Sequence, residues 1–302
     1  MAAGLLGIED LPRSEIEAIL ERAKQYQPLQ DHSFKRLDIL RGRMIVNLFY
    51  EASTRTRTSF EIAAKRLGAD AISITAAGSS VAKGESLVDT LNTLAAMRPN
   101  AIVMRHAASG APHFLARHLP IPIINAGDGT HEHPTQALLD ARTILDYRHT
   151  LEDLRVAIIG DIAHSRVARS NIYLLSKFGA DIVLCGPAPL LPPELAHIAP
   201  GVRLTYDIRE AIRDADVIMM LRVQLERQHE AAFPAGEYFQ FFGLRLEHLE
   251  LAKPGAIVMH PGPINRGREI SSEVADSQVS VILNQVENGV AVRMAVLERI
   301  LA

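Results

Sequence analysis

The chain has a single cysteine, Cys185, among 302 residues, so no internal disulfide can form and a thiolate metal cluster lacks its ligands. That composition fits a reducing compartment. No apolar run reaches the length that crosses a membrane, and no secretory signal pattern opens the sequence. The expected location is therefore cytoplasmic. Charge of one sign is also missing: 32 Lys and Arg against 35 Asp and Glu give a net −3. No overall field draws the chain to nucleic acid or to an anionic membrane, and neither is expected as a partner. Any anion site must be local, built from a few placed arginines. Short repeats, low-complexity segments and charge runs are absent too. The glycine spacing and G-K-[ST] ending of a Walker loop do not occur, so a nucleoside triphosphate is not implied.

What the sequence does contain is alternation. Apolar runs at 43–49, 71–74, 101–105 and 121–125 read as strands, and a second series follows at 155–160, 181–186, 202–205, 216–221 and 256–259. Helical patterns lie between most of them, at 54–67, 86–97, 134–147 and 166–178. Runs apolar on both faces, joined by helical crossovers, predict parallel sheets covered on both sides. The expected fold class is α/β, with two doubly wound parallel-sheet domains joined by long helices. The boundaries expected are 1–133 for the first domain and 134–284 for the second. The helical segment 285–302, with Val286, Val290, Met294, Leu297 and Leu301 near helical spacing, is expected to pack back on the first. "SEIEAILERAKQ" reads as an amphipathic helix in which Ser14 and Glu17 have capping-box spacing. Gly68 and Gly179 stand where helices end. The polar, aromatic stretch 224–245 reads as a long loop.

Four stretches carry the chemistry. "FYEASTRTRTSFE" follows a strand with interleaved hydroxyls and arginines, then opens a helix. The first turn of a helix offers N–H groups and a partial positive charge. Ser53, Thr54 and Thr56 add hydroxyls, and Arg55 can fork onto two oxygens. This is a phosphate cradle; the blander reading is an N-cap with solvated neighbours. "VMRHAASGAP" ends a strand on Arg105, "GDGTHEHPTQALLD" sets His133 and Gln136 around a helix start, and "VMHPGPINRGREI" follows a strand with a proline-flanked turn. Each alone is equally well a turn with caps. Together they put polar groups at the carboxyl ends of strands, where open α/β sheets bind ligands.

At these residues the chain resembles the transcarbamoylase family end to end. "STRTRTSFE" and "HPTQ" resemble the family's carbamoyl phosphate motifs, and "MLRVQLER" and "HPGPINRG" are similar to its aspartate branch. The ornithine branch would show a His-Cys-Leu-Pro turn and a Ser-Met-Gly loop. Here the turn reads "HPGP" and no Ser-Met-Gly occurs.

The resemblance implies transfer of the carbamoyl group of carbamoyl phosphate to the amine of L-aspartate, the second step of de novo pyrimidine synthesis, with no cofactor and no metal. It implies that Ser53, Thr54, Arg55 and Thr56 hold phosphate and that Arg105 bridges phosphate and carbonyl. His133 and Thr56 polarise that carbonyl, and Gln136 orients the carbamoyl amine with the Pro261 carbonyl and Gly262. Arg166, Arg222 and Gln224 take the aspartate carboxylates. Ser79 and Lys83, in "SSVAKGES", would come from the neighbouring subunit of a homotrimer with shared sites. Relatives often carry a second basic residue where Ala82 stands. Some family trimers also bind regulatory chains or a dihydroorotase.

Rival readings have less behind them. His131, Glu132 and His133 with Asp128 resemble a metal cluster, but adjacent residues rarely converge on one ion. His260 is expected to brace its turn, and Cys185 to be a buried, inert thiol. "RVAIIGDIAHSRVARSN" opens like a dinucleotide site but lacks the second and third glycines and the later acidic residue. A binding homologue without turnover would have lost Arg55, Arg105, His133 or Arg222, and all four are present.

Overall fold

The computed structural model describes residues 4–27, 36–75, 87–223 and 235–302. The chain divides into two units, residues 1–139 with 287–302, and residues 140–286.

The first unit runs α1 (Arg13–Tyr26), β1 (Met44–Phe49), α2 (Thr54–Arg66), β2 (Asp70–Thr75), α3 (Leu87–Ala96), β3 (Ala101–His106), α4 (Ala111–His118), β4 (Ile123–Asp128) and the start of α5 (Pro134–Arg148). Its four described strands form a parallel sheet in the order β2-β1-β3-β4. The chain reverses its winding between β1 and β3, which opens a crevice at their carboxyl ends. Those ends are aligned, Phe49 opposite Arg105. The core on one side of this sheet gathers Val46, Leu48, Ile102, Met104, Leu115 and Ile123. Gly68 ends α2 at φ +91, a left-handed turn that also has the Leu37 carbonyl against it, leaving no room for a side chain.

The second unit continues with the rest of α5, β5 (Arg155–Ile159), α6 (Arg166–Ser176), β6 (Asp181–Cys185), β7 (Val202–Thr205), α7 (Ile208–Ile212), β8 (Val217–Met220), α8 (Ala235–Phe242), α9 (Leu246–Leu249), β9 (Ile257–Met259), α10 (Ser272–Ala275) and the start of α11 (Ile282–Leu301). Its described strands are again parallel, in the order β7-β6-β5-β8-β9, so the winding reverses between β5 and β8. Gly160, at φ +144, lets the chain leave β5 beside β8; a Cβ there would lie 2.8 Å from the Cβ of Leu221. Cys185 is fully buried in this unit's core, and burial pushes its thiol well above the ordinary range. The fold is thus two doubly wound parallel sheets, with the connecting passages made inside the long helices α5 and α11.

Several local expectations need correction. Ser14 is not an N-cap: α1 begins at Arg13 after Pro12, no side chain caps it, and Glu17 instead pairs with Arg13 at 2.8 Å. The fourth strand spans 123–128 rather than 121–125. Pro120 and Pro122 lack ladder N–H groups, and the strand continues past Asn125, wholly buried, through residues 126–128. Within 224–245, residues 235–242 are helix, because Tyr238 and Phe242, one turn apart with ring centroids at 5.8 Å, form a buried face. Residues 224–234 lie outside the described residues. Val286 is exposed rather than buried; the packed part of α11 runs through Ala291–Leu297.

Candidate active site

In the first unit, Ser53 is the N-cap of α2, its hydroxyl accepting from Thr56 N–H at 3.4 Å. No acidic residue stands in that first turn. A helix start that carries Arg55 and Arg57 instead of Asp or Glu opposes its own dipole, an arrangement that an incoming anion relieves. Thr54 and Arg55 are exposed, Ser53 is half-buried, and Thr56 is buried. Beside this turn, across the reversal point, β3 delivers Arg105. Its guanidinium donates to Glu51 at 2.7 Å and to the Ala126 carbonyl at 3.3 Å, while its own carbonyl accepts from Tyr50 N–H at 2.9 Å. Arg105 is thereby drawn toward the loop after β1, with 12% of its side chain exposed. Next to it, burial lowers the pKa of His106, whose Nδ1 accepts from Ala108 N–H.

His133 follows β4 and precedes α5. The turn that carries it is pinned from both sides: Asp128 N–H donates to the Glu132 carbonyl at 3.1 Å, and Gln136 N–H to the His133 carbonyl at 2.9 Å. The Glu132 carboxylate is fully occupied elsewhere, accepting from Ile8 N–H at 2.8 Å and Glu9 N–H at 3.2 Å. His133 and Gln136 are both buried. Three neighbouring strands of one sheet thus present Ser53–Thr56, Arg105 and His133 with Gln136 at their carboxyl ends.

The second unit does the same with its own three neighbours. After β5, Ser165 caps α6 by accepting from Ala168 N–H at 3.1 Å and sets Arg166 in the first turn, buried and again without an acidic companion. Asp161 holds the approach, accepting from His164 Nδ1 at 2.8 Å. Arg222 follows β8. After β9, the turn bearing Pro261 and Gly262 is braced by His260. Its Nδ1 accepts from Gly262 N–H at 2.8 Å, so the ring proton sits on Nε2 and donates to Glu269 at 3.2 Å. Glu269 also accepts from Asn265 N–H at 2.6 Å. From His260 N–H a buried chain runs through Gln285 and Asp140 to Asn171 on α6.

Ser79, Ala82, Lys83 and Gln224 lie outside the described residues. Sequence reading missed Glu51, although it stands inside the motif that holds Ser53–Thr56, because its partner Arg105 lies 54 residues further along the chain. It missed Glu269 as well, nine residues beyond the histidine it fixes.

The match to known proteins covers both units. Residues 4–146 fit the family model "Aspartate/ornithine carbamoyltransferase, carbamoyl-P binding domain" and residues 152–300 its "Asp/Orn binding domain". The aspartate carbamoyltransferase catalytic subunit of Solibacter usitatus is 82% identical over 301 residues, all of both chains. That of Geobacter sulfurreducens is 56% identical over 294 residues, 97% of this chain and 94% of the relative. Among solved structures, aspartate transcarbamoylase from Trypanosoma cruzi with carbamoyl aspartate and phosphate superposes with TM-score 0.88 at 31% identity, covering 100% and 96% of the two chains. Ornithine carbamoyltransferase from Pyrococcus furiosus gives 0.88 at 32%, covering 98% and 96%. With two reversal-point crevices lined by arginine and both halves matched, the chain belongs to the aspartate/ornithine carbamoyltransferase family.

Proposed function

We propose that this chain transfers the carbamoyl group of carbamoyl phosphate to the amine of L-aspartate, giving N-carbamoyl-L-aspartate and phosphate. The observation that carries this is the 82% identity, over the whole of both chains, to a subunit named for that reaction. The superpositions alone do not choose between aspartate and ornithine, since both kinds of enzyme match equally well.

The amine of aspartate attacks the carbamoyl carbon, negative charge collects on the carbonyl oxygen, and the C–O bond to phosphate breaks. The leaving phosphate takes the amine proton. Carbamoyl phosphate is already an activated acyl donor, so the reaction calls for no cofactor. The α2 amino terminus, with Ser53, Thr54, Arg55 and Thr56, binds the phosphate; the absence of acid in that turn supports this. Arg105 bridges phosphate and carbonyl oxygen, and His133 with Thr56 donates to that oxygen. Such preorganised donors are each worth roughly 10²–10³ in rate. Gln136 orients the carbamoyl amine with Pro261 and Gly262. Arg166, Arg222 and Gln224 bind the aspartate carboxylates, and Lys83, with Ser79, is supplied by a neighbouring subunit of a homotrimer. Holding both substrates in attack geometry contributes a further large factor.

In this reading residues 1–133 with 285–302 form the carbamoyl phosphate domain and 134–284 the aspartate domain. The enzyme is cytoplasmic and serves pyrimidine synthesis, with a regulatory chain or a dihydroorotase as a further partner. A colorimetric assay for carbamoyl amino acids, run with aspartate and ornithine side by side, tests the assignment. Product is expected with aspartate alone; product from ornithine alone overturns it.

A further inference from the structure

We propose that His113, Asp128 and His131 form a binding site for one divalent transition-metal cation of the Zn2+, Co2+ or Ni2+ class. Each side chain offers one ligand atom, and the three atoms lie within 4.8 Å of one another. In a tetrahedral site with bonds of about 2.0–2.1 Å, ligand atoms stand ~3.3 Å apart. His131 Nδ1 and Asp128 Oδ2, at 3.1 Å, already span such an edge. A cation between them replaces the proton of that contact. The His113 ring stands edge-on to His131 at 5.2 Å between centroids. Its Nδ1 is buried with no hydrogen-bond partner among the described residues. A buried polar atom left unpaired costs about 1–3 kcal/mol, so something is expected to meet it.

The surroundings are arranged as those of metal ligands usually are. Asp128 is fully buried and held in place by Asn125 Nδ2 at 2.8 Å, Gly110 N–H at 2.6 Å and Glu132 N–H at 3.2 Å. Burial alone would raise its pKa, but the hydrogen bonds from His131, Asn125 and Gly110 outweigh it and keep the carboxyl below its ordinary value. Two imidazoles and one carboxylate favour a borderline transition metal over Mg2+ or Ca2+, and three protein ligands leave a fourth position open. Of the cluster the sequence offered, the adjacent trio 131–133 with Asp128, only Asp128 and His131 belong to this site. Within that trio Glu132 is engaged by Ile8 and Glu9, whereas the third ligand comes from α4, fifteen or more residues earlier. The ion takes no part in carbamoyl transfer. It braces the turn between β4 and α5 that carries His133.

The test uses the full chain, stripped with chelator and titrated with Co2+ and then Zn2+. Visible cobalt bands and calorimetry should report one saturable site per chain. His113→Asn should weaken it beyond the roughly 10–100-fold that loss of an outer-shell partner costs. Carbamoyl transfer in the metal-free assay should stay unchanged in that variant. Unchanged cobalt binding by His113→Asn overturns the proposal. Zinc-soaked crystals of the unaltered chain give an answer that does not depend on the variant folding. Anomalous density among His113, Asp128 and His131 supports the site, and density only at other histidines refutes it.

Discussion

Glu269 has no exposed surface, yet its removal should be among the costliest single changes in the second unit. Its carboxylate is fully buried and accepts from Asn265 N–H at 2.6 Å and from His260 Nε2 at 3.2 Å. Glu269→Ala strands these two donors, and a longer third from Asn265 Nδ2 at 3.3 Å. Each buried donor without a partner costs about 1–3 kcal/mol, so the loss from the first two is about 2–6 kcal/mol. A unit of this size loses about 2–4 °C of melting temperature per kcal/mol. A central value of ~4 kcal/mol therefore lowers the midpoint by about 8–16 °C. Glu269→Gln keeps an oxygen for both donors and loses only the charge-assisted part, about 1 kcal/mol. Because His260 Nδ1 holds Gly262 N–H, freeing the ring also frees the turn after β9. Glu269→Ala should therefore lower kcat/KM for carbamoyl phosphate as well as stability, with Glu269→Gln recovering most of both. Adding His260→Ala to Glu269→Ala should cost less than the two changes summed, since the second removal strands fewer groups. Scanning calorimetry and steady-state kinetics on the unaltered chain, Glu269→Ala, Glu269→Gln, His260→Ala and the double variant decide it. A Glu269→Ala protein melting within about 2 °C of the unaltered chain, a loss of about 1 kcal/mol or less, refutes the reasoning.

Other outcomes follow from the same geometry. Arg55→Ala should reduce turnover by roughly 10²–10³ with little change in melting, because the side chain is exposed; a loss under about tenfold ends the phosphate assignment. Mixed assemblies of Arg55→Ala and Lys83→Ala chains should regain activity that neither has alone, and inactive mixtures would argue against shared sites. At low pH, Asp216 should limit the second unit. Burial raises its pKa, but Lys253 at 2.7 Å, Arg155 N–H at 3.0 Å and Arg148 bring it below its ordinary 3.8. Its contribution is then complete above that value and lost as pH falls through the lower folded-state value. Asp216→Asn should flatten that acid loss in urea unfolding curves taken across this range, and an unchanged slope would count against it.

Much of the architecture could be read directly because the signals were local. The helix after Ser53 declares itself by its cap, and its end by Gly68, whose φ is positive as the turn requires. Strands apolar on both faces announced parallel sheets. The order of strands was a different matter: nothing in a run such as "RVAII" says which strand lies beside it, and the reversal points that create both crevices are long-range facts. The errors share that origin. The continuation of β4 past Asn125 to Asp128 does not read as strand until the side chains of Asn125 and Asp128 are seen to be consumed by Leu6, Gly127 and Gly110. Helix α8 hid in an aromatic stretch because burial, not propensity, determines it. The arginines of the candidate site were legible as cations in turns. Their holders, Glu51 for Arg105 and Glu269 for the Pro261 turn, were not, because hydrogen bonds across loops leave no periodicity behind.

The route of the polypeptide through α5 and α11 also orders events at the ribosome. The first unit is discontinuous: it needs Ala291–Leu297, which are synthesised only after the whole of the second unit. An emerging chain can therefore complete its later half before its earlier one. Until then the earlier half waits with part of its apolar interior uncovered, where chaperone capture or clumping competes with closure.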